Sequence, residues 1–342
     1  MSPSKVRGIT ASDAAEYIHS IIEANRTIYS QVIVERLGFT ISLRATENWE
    51  KDKTLPLPAQ FLLLSSEASA QKNSGMSYRL MSLWPVNPEN SPKDENEKHG
   101  LEKVLENPKK PYTRTVTQGG KLFFKAIYPD LAVTRACVTC HNNHPKSSKK
   151  DFKLGDVMGG ISIQLPIDKN FKDPKTNEYL IAAEVVSDYI HSVLESDRGI
   201  YSKYIVNRLQ KKNIVYASEH WWEDNALMLP AQFLLNASDL MNNQKLKLDF
   251  KLISAWPINS FNSPANEFER RGLDHVAQKP FRPFTEIRVL GNKQYFQAVY
   301  PDFAVAPACV SCHNNHSNSP KRDFKLNDVM GGIVLTFPLS ER

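Results

Sequence analysis

The 342-residue sequence contains no apolar run approaching the roughly 18 consecutive residues that a bilayer-spanning helix needs. Its longest candidates, FLLLSS and GGISIQLPI, are far shorter, so no membrane span is expected. Nor is there a strong excess of one charge. The 43 Lys and Arg outnumber the 37 Asp and Glu by only six, spread thinly, which gives nucleic-acid binding little support. The opening MSPSKVRGITASDAAE also lacks the apolar core of a secretory signal. What is present, 41% hydrophobic and 23% charged residues, is an ordinary globular composition, and the length suits two domains.

The chain is one unit written twice. Cys137 and Cys309 lie 172 residues apart, and the same offset carries Tyr17-Ile18-His19-Ser20 onto Tyr189-Ile190-His191-Ser192. It also carries Leu57-Pro58-Ala59-Gln60-Phe61 onto Leu229-Pro230-Ala231-Gln232-Phe233, Trp84-Pro85 onto Trp256-Pro257, and Tyr128-Pro129-Asp130 onto Tyr300-Pro301-Asp302. No gap is needed between these landmarks. A period this long is a duplicated domain, since solenoid repeats run to about 20 to 50 residues. The polar stretch DKNFKDPKTNE, Lys169 to Glu178 at its core, marks the boundary, giving domains 1–170 and 171–342.

Each unit reads as helix, strands, helix, strands. Apolar positions Ala15, Ile18, Ile22, Tyr29 and Ile33 recur at helical spacing over 11–37, with Ser12 as the N-cap, and 181–209 repeats the pattern. FTISLR, SYRLMSLWP, YTRTVTQ, KLFFKAIYP and DVMGGISIQLPI read as strands, and ENEKHGLEKVLEN as a helix among them. The expected class is α+β: two tandem domains, each a mostly antiparallel sheet with a long N-terminal helix.

All four cysteines fall in Cys137-Val-Thr-Cys140-His141 and Cys309-Val-Ser-Cys312-His313. This is the c-type haem attachment pattern. Two cysteines three apart lie about one helical turn from each other, so their sulfurs can bond the two vinyl groups on one porphyrin edge. The following histidine then reaches the iron as the proximal ligand. Two haem c groups are expected, and their propionates would bring the net charge closer to zero. Two other chemistries compete: zinc held by Cys137, Cys140 and His144, and dithiol redox at the Cys-x-x-Cys pairs.

The sixth iron position is open to several residues. A ligand present in both halves excludes His99, His220 and His275. His19 and His191, on the apolar stripe of the long helices, are the favoured ligand pair, with a packed core histidine as the plainer reading. Met158 and Met330 precede Gly-Gly in the last strand, where a thioether ligand would raise the potential. His144 and His316 share a helical face with the proximal histidines and suit capping or a propionate bond instead, with ligation of the other haem as an alternative. A water-bound or empty position is a further alternative. Arg26 and Tyr29, with Arg198 and Tyr201, are candidate propionate or distal contacts. Lys153 and Lys325 read as solvated loop charges.

These landmarks carry a resemblance. Arg26-Thr-Ile-Tyr29, Leu-Pro-Leu-Pro-Ala-Gln-Phe, Cys137-x-x-Cys-His141-Asn-x-His144-Pro and Lys149-Lys-Asp-x-Lys-x-Gly-Asp156-x-x-Gly159 together resemble a bacterial family of c-type haem domains with a PAS-like fold. Its members are free-standing cytochromes and the haem regions of signalling proteins. The second half departs at Ser317 and Asn327. The resemblance implies a five-stranded sheet with flanking helices, and a haem held by the Cys-x-x-Cys-His segment. Some relatives use a thiolate as the other axial ligand, and no spare cysteine exists here.

The expected function is one-electron transfer by a two-haem cytochrome working with a redox partner protein. A haem-based redox or gas sensor acting through a separate partner is the alternative, and the absence of an output domain counts against it. A peroxidase would need an open iron with an acid–base group beside it. Because haem c is attached outside the cytoplasm, a periplasmic or extracellular location is expected, with the leader absent from this chain. Oligomeric state is left open.

Overall fold

A computed structural model describes residues 8–242, 246–291 and 293–340. The chain forms two compact units, one of Thr10–Ile181 and one from Ala182 onward that also takes in Gly8 and Ile9.

In the first unit, α1 (Ala11–Ile28) starts at Thr10, whose hydroxyl accepts the Asp13 N–H at 3.0 Å. The cap is therefore Thr10 and not the expected Ser12. The helix continues as a seven-residue π run, Tyr29–Glu35, and closes with an α turn, Arg36–Thr40. FTISLR is consequently no strand: Phe39 and Thr40 finish the helix, and only Ala45 makes an isolated bridge, to Leu55. Next comes α2 (Pro58–Ala70), to which the sequence reading assigns no element. Its start is marked by Pro58 in the first turn and by Gln60, whose side chain accepts the Leu57 N–H at 2.9 Å.

The remaining elements are β1 (Ser77–Met81), α3 (Glu95–Glu106), β2 (Tyr112–Gln118), β3 (Lys121–Leu131), α4 (Arg135–Asn143) and β4 (Val157–Pro166). The sheet is antiparallel in the order β1-β4-β3-β2, four strands where the resemblance implies five. The β2–β3 hairpin turns on Gly119 and Gly120, both at positive φ. α1 packs on β3 and β4. α3 packs against the sheet through a cluster of Met81, Leu101, Val104 and Ile127.

Gly159 and Gly160 in β4 permit this packing. A Cβ at Gly159 would collide with the Met81 carbonyl oxygen, and one at Gly160 would stand 2.8 Å from Leu101 Cδ2. Where β3 pairs with β4 the register slips between Asp130 and Leu131. Such a bulge redirects a strand. Here it lies just before the turn into α4.

The second unit repeats the plan. It has α5 (Ala183–Ile200), a π run (Tyr201–Asn207), an α turn (Arg208–Lys211), α6 (Pro230–Asn242), β5 (Asp249–Ile253), α7 (Glu267–Gln278), β6 (Phe284–Leu290), β7 (Lys293–Phe303), α8 (Pro307–Asn315) and β8 (Val329–Pro338). The sheet order is β6-β7-β8-β5, and the bulge recurs between Asp302 and Phe303.

Candidate functional site

The short helices α4 and α8 carry the two Cys-x-x-Cys-His motifs, and no residue of either helix is buried. All four cysteines are free thiols. Thr134 caps α4, its hydroxyl accepting the Cys137 N–H at 3.3 Å and lying 3.2 Å from Cys137 Sγ. In α8 the cap is Ala306, followed by Pro307, and this contact is lost.

Behind α4, Cys137 and Val138 pack on Ala132, Phe152, Met158 and Trp84. Cys309 and Val310 meet Ala304, Phe324, Met330 and Trp256 in the same way. Met158 and Met330 thus belong to the packed wall beneath the motif cysteines. His141 stands edge-on to Phe152, centroids 5.9 Å apart, and His313 to Phe324 at 5.8 Å. Asn142 locks this wall: its amide accepts the Phe152 N–H at 3.0 Å and donates to the Phe152 carbonyl at 2.9 Å. Asn314 does the same for Phe324 at 3.0 and 2.9 Å. Lys149 Nζ lies over the Trp84 and Phe152 rings at 5.4 and 5.1 Å. The exposed Lys153 and Lys325 are solvated, as read from sequence.

Burial, with help from His144 and Arg26, holds the His141 imidazole below its usual range, and burial with His316 does so for His313. A neutral imidazole is the form that can ligate a metal. The Nδ1 atoms of both histidines are buried without a hydrogen-bond partner. Burial pushes the thiols of Cys140, Cys309 and Cys312 up. Thiols held protonated do not suit dithiol exchange, which needs a thiolate.

His144 ends α4. Its Nδ1 accepts the Lys146 N–H at 3.2 Å and its Nε2 faces Glu47 at 3.3 Å, so both ring nitrogens are engaged. His316 matches it, with the Asn318 N–H at 3.1 Å and Glu219 at 3.0 Å. Among the described residues no three His, Cys, Asp or Glu side chains converge to hold a metal ion, so Cys137, Cys140 and His144 are not gathered as the zinc reading requires.

The long helix runs beside β3 and its exit in one register. His19 lies on Tyr128, and Arg26 pairs with Asp130 at 2.7 Å. Further along, Gln31 donates to the Val133 carbonyl at 3.2 Å, and Glu35 accepts the Arg135 N–H at 3.1 Å. The π run is therefore the part level with the start of α4, and His19 sits about 15 Å up the helix axis from Tyr29. Its described partners are Tyr128 and Glu23, the carboxylate standing 3.9 Å from Nδ1. Burial lowers His19 to about 3, and its Nε2 is buried with no hydrogen-bond partner. His191 stacks on Tyr300 at 4.0 Å.

Tyr29 and Tyr201 are core residues. Their hydroxyls donate to the carbonyls of Pro56 at 2.8 Å and Met228 at 3.0 Å, and their rings stack on Phe61 and Phe233. Arg26 and Arg198 are buried, with Arg198 paired to Asp302 and donating to the Phe303 carbonyl at 3.3 Å. Sequence reasoning missed Asn142, Lys149 and Asp130 as parts of the site. All three recur at the repeat offset, and that signal would have found them.

The profile of the Tll0287-like family matches residues 8–166 and again 175–338. The chain belongs to the Tll0287-like family. A solved member, the cyanobacterial heme-protein Tll0287, is 15% identical over 46% of this chain and 97% of its own, with a TM-score of 0.28. No curated protein matches the chain. The two Tll0287-like matches span both Cys-x-x-Cys-His helices, and among the described residues no helix is long and apolar enough to cross a membrane.

Proposed function

We propose that this is a two-haem c-type cytochrome that passes single electrons between protein partners outside the cytoplasm. The observation that carries the reading is the recurrence, in α4 and α8, of two free thiols and a histidine on a helix with no buried residue. The family takes its name from a protein described as a heme-protein. The residues fit the group: Cys137 with Cys140, and Cys309 with Cys312, offer thiols one turn apart, and His141 and His313 are held neutral.

In this reading the cysteines would hold the porphyrin covalently and His141 and His313 would ligate its iron. A bound haem iron supplies the one-electron couple. Asn142 and Asn314 fix the attachment helices to Phe152 and Phe324, which limits reorganisation as charge changes. His19 and His191 are the pair assigned as the further iron ligands. The buried Nε2 of His19 supports that assignment, whereas its stack on Tyr128 and its place about 15 Å along the helix from Tyr29 count against it.

The test is expression of the full chain with export and a c-type maturation system. Two haems per chain that remain with the denatured protein on a gel are expected, with low-spin optical and EPR spectra that ignore CO. Loss of haem on denaturation would overturn covalent attachment. A high-spin iron that binds CO would replace electron transfer with sensing.

A further inference from the structure

Arg26 and Arg198 occupy equivalent places in the two units, and each leaves one donor unused. Both are more than nine-tenths buried, at 7% and 5% exposure. One edge of each guanidinium is engaged, Arg26 by Asp130 at 2.7 Å and Arg198 by Asp302. The Nε–H of each is buried and meets no acceptor. A guanidinium is a rigid fork that takes carboxylates on two edges, and an idle buried donor is costly.

The position of this idle edge points to one neighbour. Asp130 and Asp302 lie at the bulges, four residues ahead of the cap positions Thr134 and Ala306. Gln31, little more than a turn beyond Arg26, reaches Val133. Both guanidiniums therefore stand at the root of an attachment helix.

We propose that the Nε–H groups of Arg26 and Arg198 each donate to a carboxylate of the tetrapyrrole held by the adjacent attachment helix, forming an Asp–Arg–propionate chain that raises that haem's reduction potential. The inference rests on the two-haem reading above. The physical argument is charge: the guanidinium offsets a propionate that would otherwise stabilise ferric iron, and only its planar fork can serve Asp130 and the propionate together.

A free inorganic anion could occupy the same edge by the same chemistry, so the experiment must separate the two. Spectroelectrochemical titration of the haem-loaded full chain is compared for wild type, Arg26→Gln, Arg198→Gln and Arg26→Lys. Arg26→Gln is expected to shift one of the two haems at least tenfold toward the oxidised form, a fall of 59 mV for a one-electron couple. The other haem stays in place, and Arg198→Gln moves it instead. Arg26→Lys keeps the charge and recovers most of the potential, but still alters the propionate bending band in the resonance Raman spectrum. That band is read in wild type and Arg26→Lys even if the glutamine variants do not fold. Unchanged potentials and an unchanged band overturn the proposal. A wild-type potential that tracks added inorganic phosphate at fixed ionic strength overturns it in favour of a free anion. A chain that takes up no haem overturns the function itself, whereas a loaded chain with unmoved potentials overturns only this inference.

Discussion

His19 lies flat on Tyr128, ring centroids 3.9 Å apart and planes 8° from parallel. The stack seals the imidazole, and burial, aided by the charge of Arg26, lowers it to about 3. In the unfolded chain the same group titrates near 6.5, so between these values the unfolded state binds a proton that the folded state refuses. Stability is lost as pH falls from about 6.5 toward 3, by up to about 1.4 kcal/mol per pH unit for this one group. Glu16, Glu23 and Asp130, raised by burial, act in the opposite sense. The contribution of His19 is therefore isolated by difference. Urea unfolding at pH 7 and pH 5 should show a larger loss in wild type than in His19→Phe, and equal losses would refute the assignment.

The same residue tests the iron's opposite face. His19→Ala should turn one haem of the loaded protein high-spin and leave the other unchanged. An EPR spectrum identical to wild type would remove His19 from the ligand set.

Asn142 answers both backbone groups of Phe152. Asn142→Ala strands an N–H and a carbonyl beside α4, and a loss of about 1–3 kcal/mol in unfolding free energy is expected. Covalent haem on a denaturing gel should be undiminished, because the cysteines are untouched. A melting curve equal to that of wild type would show the clamp to be idle.

Gly159→Ala should be destabilising by about 1–3 kcal/mol, because the new Cβ meets a backbone oxygen that cannot turn away. Gly331→Ala repeats the experiment against Ile253. Denaturant midpoints measure both.

Tyr300 and Tyr128 stand at equivalent positions with different neighbours. Tyr300 donates to Asp188 at 2.7 Å and reaches Ser187 at 3.0 Å, where the first unit has Glu16 and Ala15. Tyr300→Phe should cost about 1–2 kcal/mol, and more than Tyr128→Phe, in parallel thermal melts.

Much of this was legible from residue types and spacing. The 172-residue offset exposed both units and the two helices that carry Cys-x-x-Cys-His. What escaped notice depended on tertiary partners. FTISLR has strand composition, yet the helix runs on through Phe39 and Thr40, and no sheet edge meets the rest. LPAQFLLLSSEASA carries apolar residues without a clean stripe, so only its Pro58 and Gln60 announce a helix. Arg26 and Asp130 lie 104 residues apart, and nothing local to either names the other. The Gly-Gly lies in the last strand, where the sequence places it, but its reason, the Met81 carbonyl against Gly159, is a tertiary contact.

Along the π run from Tyr29 to Glu35, each hydrogen-bonded turn holds one residue more than an α-helix allows. Residues beyond it, such as Leu37, thus face directions that an α count from His19 would not give. Four of its seven side chains, Tyr29, Ser30, Ile33 and Val34, are buried. Seven residues in π bonding turn about as far as six in α bonding, so the run absorbs one residue between Arg26 and Glu35, and Arg26 keeps Asp130 while Glu35 keeps Arg135. The same seven residues wound as α-helix would carry Glu35 about 100° further round the axis and break one of the two contacts.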